Sequence, residues 1–209
     1  MNILAFELST ARGSVAWRSS DQSVTSREWP NDRKNSGPFF AAVEEMLREK
    51  GKPDTIVVGL GPGSYAGVRI ALSTAIGLQA ATEAKLIGSP SICAMSDSAN
   101  DYWVIGDARR QSFFIATIRN RELENEPQLV DAGELQKRLM ELPADLPVLT
   151  SDALGLKRAR ESFPSAAWLA ELAADERRRF ALPPLQPMYL REPHITYPKN
   201  QFKIVHGPK

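Results

Sequence analysis

Cysteine and histidine are almost absent from this 209-residue chain. The single cysteine, Cys93, excludes an internal disulfide framework and is typical of a reducing compartment. The two histidines, His194 and His206, both lie close to the end of the sequence. Their scarcity weakens most metal-site and histidine-dependent hydrolase hypotheses, so we predict no metal site.

The sequence also lacks an excess of charge of one sign and any long apolar run. A net charge of +1 gives no global reason to expect binding to nucleic acid or to a membrane. No uncharged apolar run approaches the ~18 residues of a membrane span, and Met1–Leu8 includes Glu7 but no positive leader. With 43% apolar and 24% charged residues, the composition predicts a soluble cytoplasmic protein.

The first half of the sequence predicts one compact α/β unit. Three strands come first, and helices and strands then alternate. The predicted strands are Asn2–Leu8, Ser14–Trp17, Val24–Trp29, Thr55–Leu60 and Lys85–Gly88. The predicted helices are Ser36–Lys50, Gly67–Ala84 and a short one from Ser89 toward Asn100.

The second half of the sequence has fewer apolar elements, and its apolar periodicity is less marked. Tyr102–Asn120 reads as two strands around the turn "DARRQS", a faint repeat of the strand–"STARG"–strand opening. A helix near Glu134–Glu141, a strand "PVLTS", a helix near Ala166–Phe180 and a proline-rich tail follow. We therefore predict two lobes, residues 1–100 and a smaller lobe of residues 101–209.

Two polar motifs in this half leave alternatives open. "DARRQS" is either a charged hairpin turn, which we favour, or the remnant of a second phosphate loop. "ERRRF", Glu176–Phe180, is either the solvated last turn of a helix, which we favour, or a contact for RNA.

The stretch "VVGLGPGSYAGVRIALSTAIGLQAA", Val57–Ala81, looks like a phosphate loop but matches neither common motif. It lacks the Gly-Lys-Ser/Thr of a Walker loop, and Ala66 stands at the third glycine of the dinucleotide pattern. Two interpretations remain. Gly61, Gly63 and Ser64 could hold an anion with help from Arg69, or they could form a turn in which Ser64 caps the helix.

The helix after this loop has an unusual composition. "IALSTAIGLQAAT", Ile70–Thr82, carries no charge, although a helix that covers its own sheet normally has a charged outer face. Small residues recur every four positions, along the lines Gly67–Ala71–Ala75 and Ser73–Gly77–Ala81. Such lines let another backbone approach closely, so the helix is either buried within this protein or covered by a partner.

Six motifs in order resemble the TsaB (YeaZ) family of bacterial tRNA threonylcarbamoyladenosine biosynthesis. They are "ELSTARGSVAW", "NSGPFFAAVEEML", the Val57–Ala81 stretch, "IGSPSICAM", "DARRQSFFIA" and "PMYLR". The resemblance implies a duplicated actin- and hexokinase-like (ribonuclease-H-like) α/β fold, with two mixed-sheet lobes flanked by helices. It covers most of the chain, and the run from Gly61 to Arg69 is its most specific part.

The resemblance also implies partners. Members of this family look like non-catalytic relatives of TsaD, the subunit that transfers threonylcarbamoyl to adenosine 37 of tRNA, and dock onto it through their first two helices. Carried over, the interface residues are Phe40, Val43, Leu47, Gly67, Ala71, Thr74, Ala75, Gly77, Leu78 and Ala81. Expected further are a TsaE-like ATPase partner, a homodimer when the chain is alone, tRNA contact only through the complex, and no membrane contact.

The same resemblance suggests a nucleotide site, but departures from the family pattern weaken the prediction that ATP and magnesium bind there. Glu7, Ser9, Thr10, Gly61, Gly63, Ser64 and Arg69 are the candidate nucleotide or phosphate ligands. Glu7 stands where the family usually has Asp, and Tyr65-Ala66 replaces the usual Phe-Thr. Because magnesium demands tight geometry, the longer Glu7 weakens an ATP–magnesium site. We expect no required cofactor, with ADP or ATP at the partner interface as an option. An ATP-dependent phosphotransferase of the same superfamily is the alternative function.

Overall fold

The structure is a computed structural model that describes residues 1–31 and 35–190. Five strands form its first sheet: β1 (Ile3–Glu7), β2 (Arg12–Arg18), β3 (Val24–Pro30), β4 (Thr55–Gly59) and β5 (Lys85–Ser89). Their order is β3-β2-β1-β4-β5. β1, β2 and β3 form the predicted antiparallel meander, whereas β4 and β5 run parallel to β1.

A second sheet repeats this arrangement with shorter strands. Its strands are β6 (Tyr102–Asp107), β7 (Phe113–Arg119), β8 (Glu122–Leu123), β9 (Gln128–Val130), β10 (Val148–Thr150) and β11 (Ala159–Glu161). The order is β11-β10-β6-β7-β8, and β9 also pairs with β7. β6 and β7 form the central antiparallel hairpin, with β10 parallel to β6 and β11 parallel to β10. The predicted duplication of the fold is therefore confirmed.

Helices cover both faces of the first sheet. α1 (Gly37–Lys50) and α2 (Tyr65–Thr82) pack on one face, where Phe39, Met46 and Ala71 join the core. α4 (Ala166–Ala173) packs on the other face. Since β1 and β4 are covered on both sides, every residue in them is buried, which explains their nearly continuous apolar sequence.

The second sheet has fewer helices around it. α3 (Ala132–Glu141) covers one face through Leu135, beside Ile105 and Ile115. The segment that joins the lobes, including Ile92 and Met95, packs on the other face. Within residues 1–31 and 35–190, every helix falls short of the length and apolarity that a membrane span requires.

The structure corrects three predicted elements. The helix expected from Ser89 toward Asn100 is a single 3₁₀ turn at Ser91–Ala94. The last helix ends at Ala173, so Glu176–Phe180 is not its final turn. α4 was assigned with the second lobe, yet it packs on the first sheet, where Arg18 on β2 pairs with Glu171 at 3.0 Å. α4 therefore belongs to the second half of the sequence but to the first lobe of the structure.

Candidate functional site

The glycine-rich turn between β4 and α2 is built for close backbone packing. An added Cβ at Gly63 would overlap the carbonyl oxygen of Ser9, and one at Gly67 would overlap that of Leu8. Residues other than glycine would therefore push the start of α2 away from the end of β1. The need for these two glycines is steric and arises inside the chain.

Amide groups of this turn already have partners. The Gly61 N–H donates to Ser91 Oγ at 2.9 Å, and the Ser64 N–H donates to the Ser9 carbonyl oxygen at 2.6 Å. The Gly67 N–H donates to Ser64 Oγ at 3.3 Å, which is the predicted cap of α2. A phosphate would have to displace these internal acceptors. The structure therefore supports the turn interpretation and argues against Gly61 and Ser64 as anion donors.

Glu7 is a second correction to the predicted nucleotide site. Its side chain is fully buried and lies over Gly59, where any Cβ would overlap the carboxylate. Glu7 Oε1 accepts from the Ser9 N–H at 2.6 Å, while Oε2 has no hydrogen bond to the described residues. Burial raises the pKa of the Glu7 carboxyl. Because it does not line the cleft between the lobes, Glu7 cannot hold magnesium there.

The cleft between the two lobes has a volume of about 300 Å³. The first lobe contributes Ser9, Thr10, Gly63 and Ser64, all predicted as phosphate ligands, and the second contributes the Asp107 turn. The Thr10 hydroxyl donates to the Arg12 carbonyl oxygen at 3.1 Å. The predicted residues therefore do meet at one cleft, except for Glu7, Gly61 and Arg69.

In the turn that faces these residues from the second lobe, the polar groups are already paired with groups of the same lobe. The Asp107 N–H donates to Asp152 Oδ2 at 2.8 Å, and the Arg109 N–H donates to Asp107 Oδ1 at 2.7 Å. The Arg109 guanidinium also lies 3.2 Å from Asp107 Oδ2. Since its charged groups pair with each other, "DARRQS" is the hairpin turn that the sequence favoured.

Arg69 points toward neighbouring aromatic residues. Its Nη1 donates to the Tyr65 hydroxyl at 2.5 Å, and its guanidinium lies 4.9 Å from the centre of the same ring. The Tyr65 ring in turn packs at 5.4 Å from the Tyr189 ring. Arg69 thus belongs to a cluster that holds the C-terminal segment against α2, which corrects its predicted role as a phosphate ligand.

The second candidate surface is the outer side of α1 and α2. Of the predicted interface residues, Phe40, Gly77 and Ala81 are exposed, and Leu47, Thr74 and Leu78 are half-buried. The structure contradicts the other four, because Val43, Gly67, Ala71 and Ala75 are buried against the chain's own sheet. The line Gly67–Ala71–Ala75 is the inner line, and its small side chains bring α2 close to β1 and β4.

Four exposed residues of this surface were not among the predicted interface residues: Ala66, Ser73, Ile76 and Ala80. Ser73 lies on the predicted line of small residues through Gly77, and helical spacing from Ser73 and Gly77 would have found the other three. Together with Gly77 and Ala81 these four residues form what we call the α2 outer face. It has no charged residue between Ile70 and Thr82, and Ile76 is 49% exposed.

Two sheets of the same strand order, joined by a cleft, define a duplicated actin- and hexokinase-like (ribonuclease-H-like) α/β protein. The sequence profile of the family TsaD, described as tRNA N6-adenosine threonylcarbamoyltransferase, matches residues 39–147. The chain therefore belongs to this family. None of the curated proteins compared with the chain matches it.

Two solved structures from Pseudomonas aeruginosa resemble the chain over nearly its whole length. YeaZ has a TM-score of 0.73 at 21% identity, covering 90% of this chain and 99% of YeaZ. A protein described as uncharacterized with similarity to peptidase YEAZ has a TM-score of 0.72 at 21% identity, covering 91% and 99%. The predicted resemblance to the TsaB (YeaZ) family is confirmed in the fold.

Proposed function

We propose that the chain is a non-catalytic docking subunit in tRNA threonylcarbamoylation. It binds a TsaD-like catalytic homologue through the exposed sides of α1 and α2. The observation that carries the proposal is Gly77, an exposed glycine in the interior of α2 for which the chain itself offers no steric reason.

A glycine inside a helix destabilises it by roughly 0.5–1 kcal/mol relative to alanine. At Gly67, in the first turn of α2, that cost has a structural reason, because a Cβ would overlap the Leu8 carbonyl oxygen. At Gly77 a Cβ would meet nothing within 4 Å. A partner backbone packed against the α2 outer face supplies the missing reason, since only glycine permits the closest approach.

The surroundings of Gly77 support a protein partner. The six residues of the α2 outer face are uncharged, with the exposed Arg69 the charged residue on α2 beside them, and Phe40 on the neighbouring α1 is 49% exposed. Exposed apolar side chains grouped on two helices of one sheet face are typical of an interaction surface. Homologous folds can present equivalent helices to each other around a two-fold axis, which favours a family member as the occupant.

The polar groups of the chain support a non-catalytic role. Glu7 is buried, the Gly61 and Ser64 amides have internal acceptors, and Asp107 pairs with Arg109. His194 and His206 lie outside the part of the chain that the structure describes.

Further predictions belong to the same proposal. They are a TsaE-like ATPase partner, ATP or ADP at the partner interface without a required cofactor, tRNA contact only through the complex, and a cytoplasmic location. A second copy of the chain would use the α2 outer face when the catalytic partner is absent. Light scattering of the isolated chain with and without that partner tests this exchange.

The test of docking is Gly77→Ala, because its two expected effects have opposite signs. Alanine should raise the free energy of unfolding of the isolated chain by about 0.5–1 kcal/mol. The added methyl should nevertheless weaken binding to the purified TsaD-like subunit by about tenfold or more, since overpacking a close contact costs about 1–3 kcal/mol. Chemical denaturation and calorimetry measure the two effects.

Gly133→Ala on α3 is the matched control. A Cβ there would lie 3.4 Å from Asp131 Oδ1, an ordinary contact distance. It should leave the affinity for the catalytic subunit unchanged, because α3 covers the second sheet. Docking through α2 is wrong if Gly77→Ala also leaves that affinity unchanged.

A further inference from the structure

A second cavity, of about 270 Å³, lies where the segment joining the lobes meets β8 and the chain that follows α4. Its charged lining consists of Arg121, Glu122, Arg178 and Arg179, and its apolar lining includes Leu172 and Phe180. None of its lining residues belongs to α1 or α2. We call it the arginine cavity, and it is separate from both surfaces described above.

Arg121 is 3% exposed and keeps its position through uncharged partners. Its Nε donates to Asn100 Oδ1 at 3.2 Å, its Nη1 to the Met95 carbonyl oxygen at 3.0 Å, and its Nη2 to the Asp97 carbonyl oxygen. The guanidinium lies 3.5 Å from the centre of the Trp168 ring. No carboxylate of the described residues lies within ion-pair distance of it, and burial lowers the pKa of the Arg121 guanidinium.

The other two arginines come from the "ERRRF" motif. Arg178 donates to the Asn120 carbonyl oxygen at 2.8 Å, and its nearest carboxylates, Glu122 and Asp175, lie at 3.7 and 3.9 Å. Asp175 pairs more closely with Arg177, at 2.8 Å. Arg179 is exposed and forms no ion pair within residues 1–31 and 35–190. One glutamate thus faces three arginines.

The remaining lining adds no negative charge. Burial raises the pKa of the Cys93 thiol to about 12, so this thiol is neutral. A partly enclosed cavity with three arginines and one glutamate attracts an anion, and arginine forks match the oxygen geometry of phosphate. Leu172 and Phe180 provide an apolar wall against which the organic part of a phosphate ester can pack.

We propose that the arginine cavity binds the phosphate group of a phosphate ester, with Arg179 as its most accessible donor. The ester is either a free nucleotide or a phosphodiester of RNA, because both present at least two non-bridging phosphate oxygens to an arginine fork. The site does not depend on docking through α2, since the two surfaces share no residues. A nucleotide here would also differ from one in the cleft between the lobes.

Calorimetry with the full chain at fixed ionic strength tests the proposal. The probes are inorganic phosphate, adenosine 5′-monophosphate and a short RNA stem–loop. Arg179→Gln should weaken binding of the monophosphate about tenfold, because it removes one charge-assisted donor. A parallel tenfold loss with the stem–loop assigns the site to RNA, whereas a loss with the monophosphate alone assigns it to free nucleotides.

Arg177→Gln is the matched control, since Arg177 neighbours the same run but does not line the cavity. This variant also loses one positive charge, and its affinity for the probes should stay within about twofold of that of the unaltered chain. The proposal is overturned if both variants weaken binding equally, which would indicate general attraction to a basic run. It is also overturned if the unaltered chain binds none of the three probes.

Discussion

The hairpin that opens each lobe ends its first strand in a carboxylate, but the two carboxylates lie in opposite environments. Glu7 ends β1 and is fully buried, while Asp107 ends β6, is exposed and pairs with Arg109. The strand order around them is the same. Duplication therefore preserved the topology of the sheet without preserving the chemistry of the turn.

The lobes also differ in how firmly their central strands are held. Backbone atoms of the first turn pack directly against the start of α2, and three helices cover the first sheet. In the second lobe, four of the six strands have three residues or fewer, and α3 alone among the α-helices joins its core. The first lobe is thus the rigid platform that carries the docking helices.

The largest expected difference between the lobes comes from replacing a close-packed glycine in each. Gly67→Ala should lower the free energy of unfolding by about 3 kcal/mol, because its Cβ overlaps the Leu8 carbonyl oxygen, which is backbone. Gly106→Ala should cost less, about 1–2 kcal/mol, since its Cβ meets the Phe114 side chain and no backbone atom. Urea denaturation measures both values.

Helix propensity helps to identify the cause of the loss expected in Gly67→Ala. Alanine is the better helix former, so any loss in Gly67→Ala must come from the contact with Leu8 and not from α2 itself. Circular dichroism should show that both variants keep their helical content. Equal costs for the two substitutions would contradict the idea that the first lobe is the more tightly packed.

A smaller effect is expected from Glu7→Gln, and it should depend on pH. Burial raises the pKa of Glu7 above its ordinary value of 4.5, so the stability linked to its protonation is present below that value and is lost as the pH rises through the raised pKa. Glutamine cannot ionise. Above that raised pKa the variant should be more stable than the parent by about 1 kcal/mol or more, because the parent then carries a desolvated charge that glutamine lacks.

Unfolding curves at pH 4 and pH 8 check this prediction. The two proteins should converge at the acidic end, where Glu7 is protonated in the parent. A constant difference at all values of pH would instead indicate a packing effect of the amide. That result would contradict the idea that Glu7, unlike Asp107, carries its charge in a buried environment.

The smallest effect is expected at the equivalent position of the second lobe. Asp107→Asn should change the free energy of unfolding by less than about 1 kcal/mol, because exposed ion pairs contribute little. A loss several times larger would show that the Asp107 turn is as structural as the Glu7 turn.

Strong sequence patterns predicted most of the fold. The apolar strands Asn2–Leu8 and Thr55–Leu60 and both long helices were found within a few residues, and the two "STARG"-like turns indicated the duplication. β8, β9 and β11 were missed, because strands of two or three residues carry too little periodicity to be recognised.

The site was harder to predict than the fold. Sequence spacing identified two lines of small residues on α2 but could not say which one faces the sheet, since both are small and uncharged. The partners of the loop amides, such as Ser91 Oγ for Gly61, come from distant parts of the chain. The arginine cavity joins Arg121 to Arg179 through tertiary packing, which no local pattern reveals.

The return of α4 to the first sheet has a consequence for how the protein is made. Ile3, Ala5 and Val57 remain uncovered on one side until Leu169 and its neighbours have left the ribosome. The Ala166 N–H, which donates to Ser14 Oγ at 2.8 Å, closes this loop across the whole second lobe. This face of the first sheet is therefore completed only after almost the entire chain has been synthesised, and such long-range contacts slow folding.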